Sequence, residues 1–154
     1  TVKRWLTILE NLYIVFKITP FHRNIARSIL KSPKYYFYDT GQVIGDDGLK
    51  LENLIACALI KKQHFNQDCH GENSNLHYLR DKDGHEIDFL IRSDDGKPVM
   101  IEVKWNDASL SKNFQRFSKF IPDADKVQIV RHLDREKTYP DGAEIRRAVS
   151  WLNH

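Results

Sequence analysis

The sequence predicts a mixed α/β domain, a central sheet flanked by helices, with a short N-terminal appendage. Three observations predict it. Residues 76–105 hold three strand-like runs in quick succession, joined by turns that end in Asp83-Gly84 and Asp95-Gly96. A stripe of Leu51, Leu54, Ile55, Ala58 and Leu59 precedes them at helical spacing, and a second, Leu110, Phe114, Phe117 and Ile121, follows. At 154 residues the chain has room for one core of this kind.

In chain order, Trp5, Ile8, Leu9 and Leu12 recur on one face and predict a helix over 1–12. Thr1 falls where that helix is already under way, which leads us to expect further chain upstream. The β-branched and aromatic run 13–18 predicts a strand closed by Thr19-Pro20, and 34–39 predicts a second. Helix, strand, basic connector, strand is the outline of the second half of a winged helix-turn-helix. Asp39-Thr40-Gly41 is a turn, 49–63 a helix, and the polar, aperiodic 64–75 a loop. Strands follow at 76–80, 85–92 and 98–105 as an antiparallel meander. Residues 109–121 are helical with Ser109 as N-cap, and 127–130 form a short buried strand. Ile145, Ala148, Val149 and Leu152 keep helical spacing to the end.

Composition excludes several classes. Hydrophobic residues make up 41% of the chain, yet no apolar run nears the length of about 18 that a membrane-spanning helix needs. Two cysteines, Cys57 and Cys69, are too few for a disulfide framework, which points to a reducing, cytoplasmic setting. Cys69-His70, with His64 and His77 nearby, lacks any repeated zinc spacing. No phosphate-binding Gly-rich loop with its Lys-Ser/Thr ending occurs, so no nucleotide site is expected. The net charge of +3 divides unevenly. Residues 1–38 carry seven bases, Lys3, Arg4, Lys17, Arg23, Arg27, Lys31 and Lys34, against Glu10 alone, leaving the remainder acidic. A basic arm of this kind is either a solvated face or a phosphate-binding element, the second making these seven residues candidates for contact with DNA.

The chemistry-bearing pattern lies in 98–105, apolar except at the alternate positions Glu102 and Lys104, which share one side of a strand. A carboxylate in a central strand needs a partner or a metal, because desolvating it costs several kcal/mol. The hairpin at Asp94-Asp95 brings Asp88 near Glu102, on the side of its strand shared with Glu86 and Leu90. Adjacent carboxylates repel unless a cation lies between them, and an oxygen-rich site suits Mg²⁺ or Mn²⁺. Glu52 has Ile55, Ala56 and Leu59 as helical neighbours, so it points inward toward the same place. An acid set with a lysine two residues from one of its members fits phosphodiester hydrolysis, with Lys104 orienting or deprotonating water. A structural Glu102–Lys104 ion pair and a paired, buried Glu52 are the plain alternatives.

Ile87-Asp88, then Glu102-Val103-Lys104 on a strand, with an acid-bearing helix before them, resembles the PD-(D/E)XK nuclease superfamily, with Ile87 where the motif has proline. The strings Tyr36-Phe-Tyr-Asp-Thr-Gly41, Gly84-His-Glu-Ile-Asp-Phe-Leu90 and Ile101-Glu-Val-Lys104 resemble the C-terminal nuclease-like domain of certain prokaryotic AAA-type ATPases. The resemblance implies a restriction-endonuclease-like sheet over 40–154 and part of a winged helix over 1–39. It also implies a short strand before the last helix, an upstream ATPase domain as partner, and DNA as substrate. By the same token Glu52, Asp88, Glu102 and Lys104 are the expected catalytic set, and Asp88, Glu102, Val103 and Glu52 the expected holders of Mg²⁺ or Mn²⁺. Domains of this superfamily also serve as catalytically silent binding modules, because a fold does not determine an activity.

Overall fold

The computed structural model describes residues 1–21, 32–106 and 109–153. Helix α1 (Val2–Asn11) leads into strands β1 (Val15–Pro20) and β2 (Lys34–Phe37), a short 3-10 turn (Thr40–Gln42) and the long helix α2 (Asp47–His70). The meander β3 (Ser74–Arg80), β4 (Glu86–Ser93) and β5 (Val99–Lys104) follows, then α3 (Lys112–Ser118), β6 (Asp125–Val130), β7 (Lys137–Thr138), β8 (Glu144–Arg147) and α4 (Ala148–Leu152). The strands make one mixed sheet in the order β2-β1-β3-β4-β5-β6-β8-β7. Pairings within β3-β4-β5 are antiparallel, as the Asp-Gly turns require, while β6 runs parallel to both β5 and β8. Among the described residues no helix is long and apolar enough to cross a membrane.

Helices cover both faces, which is why β5 is buried on alternate and intervening positions alike. On one face Leu51, Ile55, Ala56 and Leu59 of α2, with Ala148 of α4, pack on Phe16, Ile18, Tyr36, Tyr78, Phe89, Ile101 and Ile129. On the other, Phe114 and Phe117 of α3 pack on Leu79, Ile87, Leu90 and Met100. At roughly 1.5–3 kcal/mol for each fully buried large apolar side chain, these two layers supply the principal stabilisation.

Several expectations are corrected. The region 64–70 continues α2 instead of looping: its polar side chains simply face water, and nothing stops the helix before Gly71. That glycine takes φ 67°, a left-handed C-cap that ends the helix without steric cost. Helix α3 is shorter than 109–121, and Ser111, not Ser109, is its N-cap, accepting from the Asn113 N–H at 3.3 Å. Strands β1 and β2 join the main sheet, β1 pairing parallel with β3 at Thr19–His77 and Pro20–Tyr78. Finally, β4 carries a bulge. Its ladder to β3 pairs His77 with Leu90 but Leu79 with Ile87, leaving Asp88 and Phe89 opposite Tyr78 alone. Leu90 and Ile87 therefore both pack on the α3 face, and Asp88 does not share a side with Leu90.

Candidate active site

The bulge decides where Asp88 goes. Ladder pairing between β4 and β5 runs from Ile91–Val99 through Phe89–Ile101 and stops one step short of the position that would set Asp88 against Glu102. Beyond that point the strands splay, and the Asp88 carboxylate fills the gap: its Oδ2 accepts the N–H of Val103 at 2.8 Å. Val103 thus joins the site through its amide. The two acids meet in a notch at the strand ends, not across a flat ladder.

Glu102 enters the notch from the α3 side and is only 2% exposed. Its Oε1 is surrounded by donors: Lys104 Nζ at 2.9 Å, Ser111 Oγ at 3.2 Å and Asn113 Nδ2 at 3.4 Å. Its Oε2 is buried and receives no hydrogen bond. A lone-pair-rich oxygen left bare inside a protein is costly, so this carboxylate is half satisfied.

The opposite wall comes from α2 and β2. Glu52 projects inward as expected, and its Oε1 accepts from the Tyr36 hydroxyl at 2.7 Å and from Lys34 Nζ at 3.2 Å. Burial, together with the Glu52 charge, pushes the Tyr36 phenol far above its ordinary range, so it remains a donor. Lys34 Nζ also pairs with Glu86 Oε1 and lies 4.0 Å from Asp88 Oδ1. Burial would lower the Lys34 pKa, but Glu52, Glu86 and Asp88 outweigh it and raise it. For Asp88 the same forces act the other way. Burial first, then the charges of Glu102 and Glu52, push its carboxyl up to about 7, against the Val103 N–H and Lys34. A cleft of about 250 Å³ lined by Lys34, Tyr36, Glu52 and Asn53, among others, opens this wall to solvent.

The expected catalytic set is therefore gathered around one notch, though not into a closed ligand cage. Among the described residues, the group of three acids or histidines whose ligand atoms lie within 4.8 Å of one another is Asp81, Asp83 and His85, not Glu52, Asp88 and Glu102. Asp81 is already consumed by its turn: it accepts the N–H groups of Asp83 and His85, each at 2.9 Å, and pairs with Arg116. For the notch, the bare Oε2 of Glu102 and the Asp88 carboxyl, pushed up by burial and by its acidic neighbours, are what a hard divalent cation would relieve, so the donor set fits Mg²⁺ or Mn²⁺.

Of the seven bases of the arm, four lie among the described residues. Lys34 is withdrawn into the acidic notch, Lys17 pairs with Glu10 at 3.2 Å, and Lys3 and Arg4 are exposed on α1. Arg23, Arg27 and Lys31 lie outside the described residues. Two supporting residues escaped the sequence reading. Gln128, fully buried on β6 beside Glu102, accepts the Ser111 N–H and donates to the Ser109 carbonyl, both at 2.8 Å, and so fixes the loop that brings Ser111 to Glu102. A glutamine inside the apolar run 127–130 was the signal. Asn53, 4% exposed, exchanges two 2.9 Å hydrogen bonds with the backbone of Phe37 and locks β2 to α2.

A mixed α/β domain with an acidic notch at its strand ends is the class that fold and geometry define. The chain belongs to the family described as "Domain of unknown function (DUF4143)", which matches residues 47–150. Residues 1–45 match a second, "Domain of unknown function (DUF8612)". No curated protein matches. Among solved structures the chain is similar to one from the refined half-complex of the tetradecameric assembly of Thermococcus gammatolerans McrB AAA+ hexamers with bound McrC. That likeness has 14% identity and a TM-score of 0.40, covering 66% of this chain and 27% of the other. The chain thus spans about a quarter of that relative.

Proposed function

We propose that this domain is a PD-(D/E)XK-type nuclease module with a restriction-endonuclease-like sheet, hydrolysing phosphodiester bonds of DNA with one divalent ion, Mg²⁺ or Mn²⁺, in the notch. The observation that carries the proposal is the half-satisfied Glu102, one oxygen saturated and the other bare, beside an Asp88 whose carboxyl is pushed up to about 7. Asp88 and the Oε2 of Glu102 would hold the ion, with Val103 fixing Asp88 in the gap. When bound, such an ion supplies Lewis-acid chemistry, polarising a phosphate oxygen and offsetting charge in the transition state. Lys104, 36% exposed and held at Glu102, reaches solvent, so its ammonium can orient the attacking water and meet the phosphate. Ser111 and Asn113 keep Glu102 aligned. The local strings around Tyr36, Asp88 and Glu102 support a further element, that the domain is carried by an AAA-type ATPase of the same polypeptide, in the cytoplasm.

A second reading, a catalytically silent DNA- or protein-binding module, is favoured by the ion pairs of Lys34 and Lys104, which already neutralise much of the acid cluster. Supercoiled plasmid with Mn²⁺ separates the two. The nuclease reading expects nicking by the wild type that falls at least a hundredfold in Lys104→Ala and in Asp88→Asn. Mn²⁺ binding without any cleavage, unchanged in Lys104→Ala, would transfer the domain to the silent class.

A further inference from the structure

The acidic notch has two sides, and one of them already holds a cation. Around Asp88 Oδ2 and Glu102 stand the Val103 amide and the bare Oε2. Around Asp88 Oδ1 stand Glu52 and Glu86, and a cation is already there: Lys34 Nζ, 3.2 Å from Glu52, paired with Glu86, and 4.0 Å from Asp88. This lysine comes from β2, on the far edge of the sheet from β5 and outside the region matched by the DUF4143 family. It is held in place from several directions. The Tyr78 ring lies 5.4 Å beneath its ammonium, the Tyr36 hydroxyl orients the Glu52 oxygen that receives it, and Asn53 clamps the end of its strand to α2.

We propose that Lys34 is a built-in second cation of the site, occupying the Glu52–Glu86–Asp88 side so that the notch accepts a single divalent ion at Asp88 and Glu102. The proposal rests on the metal-dependent reading above. It makes Glu52 a positioning residue, whose Oε1 holds Lys34, where the sequence suggests a direct metal ligand. The physics is Coulombic. A divalent ion placed among Glu52, Glu86 and Asp88 would have to share those oxygens with an ammonium at contact distance, and two cations there repel. Displacing Lys34 would strand it in a part-buried wall, 25% exposed, without its counter-ions. A lysine fixed beside Asp88 also gives a substrate phosphate a second positive neighbour without any need for another ion. The plain alternative is that Lys34 only satisfies buried acids, and then its removal would lower stability while leaving the number of bound ions unchanged.

The test counts ions on the full chain by Mn²⁺ calorimetry, with free Mn²⁺ followed by electron paramagnetic resonance. Wild type should bind one equivalent, lost in Asp88→Asn. Lys34→Gln should bind two, and Lys34→Arg, which restores a fixed cation, should return to one. One equivalent in Lys34→Gln, or two in wild type, overturns the proposal while leaving the metal reading intact; no Mn²⁺ bound by wild type removes the metal reading itself. Crystals of wild type soaked in Mn²⁺ give an answer that does not depend on the variants folding. A single anomalous peak beside Asp88 and Glu102, with Lys34 still against Glu52, supports the proposal, and a peak among Glu52, Glu86 and Asp88 overturns it.

Discussion

At the scale of single residues, Asp88 is where electrostatics and stability meet. Its carboxyl titrates near 7 in the folded chain, against an ordinary value of 3.8. A group raised on folding holds its proton more tightly in the native state. Its contribution to stability is therefore complete below about pH 4 and is lost as pH climbs through about 7. Metal-free wild type should lose stability between pH 5 and pH 8 relative to Asp88→Asn, which keeps an oxygen for the Val103 N–H but cannot ionise. The difference should grow by about 3 kcal/mol between pH 5 and pH 8. Urea melts in EDTA at the two pH values measure it, and parallel curves for the two proteins would show that Asp88 is ionised throughout. The acids themselves were legible in the sequence because charge is conspicuous in apolar surroundings: Glu102 in a run of Val and Ile, Glu52 on the inner stripe of a helix. Lys34 sorts with the basic arm in the sequence because counting charges along the chain says nothing of where a strand delivers them. Gln128 is inconspicuous in the sequence because one polar residue in a short buried strand is a quiet signal until its two loop partners are known.

At the scale of elements, the clamp between β2 and α2 sets the far wall of the notch. Strand β2 ends the sheet, so the backbone groups of Phe37 need a partner from elsewhere, and the Asn53 amide supplies both halves, accepting the N–H and donating to the carbonyl at 2.9 Å each. Asn53→Ala leaves the Phe37 N–H unpaired and its carbonyl with the Cys57 thiol alone, at 3.1 Å, and removes both hydrogen bonds of the clamp from a part-buried position. We expect a loss of about 2 kcal/mol in chemical denaturation. A loss below half a kcal/mol would mean that water replaces the amide freely. The elements themselves were largely readable, since period and turn chemistry are local: the meander, its Asp-Gly turns, α1, and the buried β6 all lie where alternation and spacing put them. The bulge in β4 was not, since it arises from the mismatch between two ladders, β3–β4 and β4–β5, and no window of sequence contains both. The end of α2 is hard to see in the sequence for a related reason: a polar stretch looks the same whether it is a loop or the wet turns of a helix, and only Gly71 marks the stop.

At the scale of the whole molecule, two family descriptions divide the chain between residues 45 and 47, while the sheet runs through that boundary. Phe16, Ile18 and Tyr36 come from the first segment, yet they pack in one cluster with Leu51, Ile55, Tyr78 and Phe89 from the second. Removing residues 1–45 would expose that face of α2 and bare the edge of β3, whose backbone pairs with β1 at Thr19 and Pro20. Burial of three large apolar side chains is worth on the order of 6 kcal/mol, and whole domains are stable by only about 5–15 kcal/mol. A freed, partly apolar strand edge is also a template for association between copies. Residues 46–154 expressed alone should therefore be largely unfolded or aggregated by circular dichroism and gel filtration, although they contain Glu52, Asp88, Glu102 and Lys104. A monomeric fragment that melts cooperatively near the full chain would show that the sequence boundary is also a folding boundary, and that the first segment supplies Lys34 without supporting the core. The expected outcome makes the two segments one folding unit, in which the part that completes the hydrophobic layer is the same part that delivers a cation to the acids.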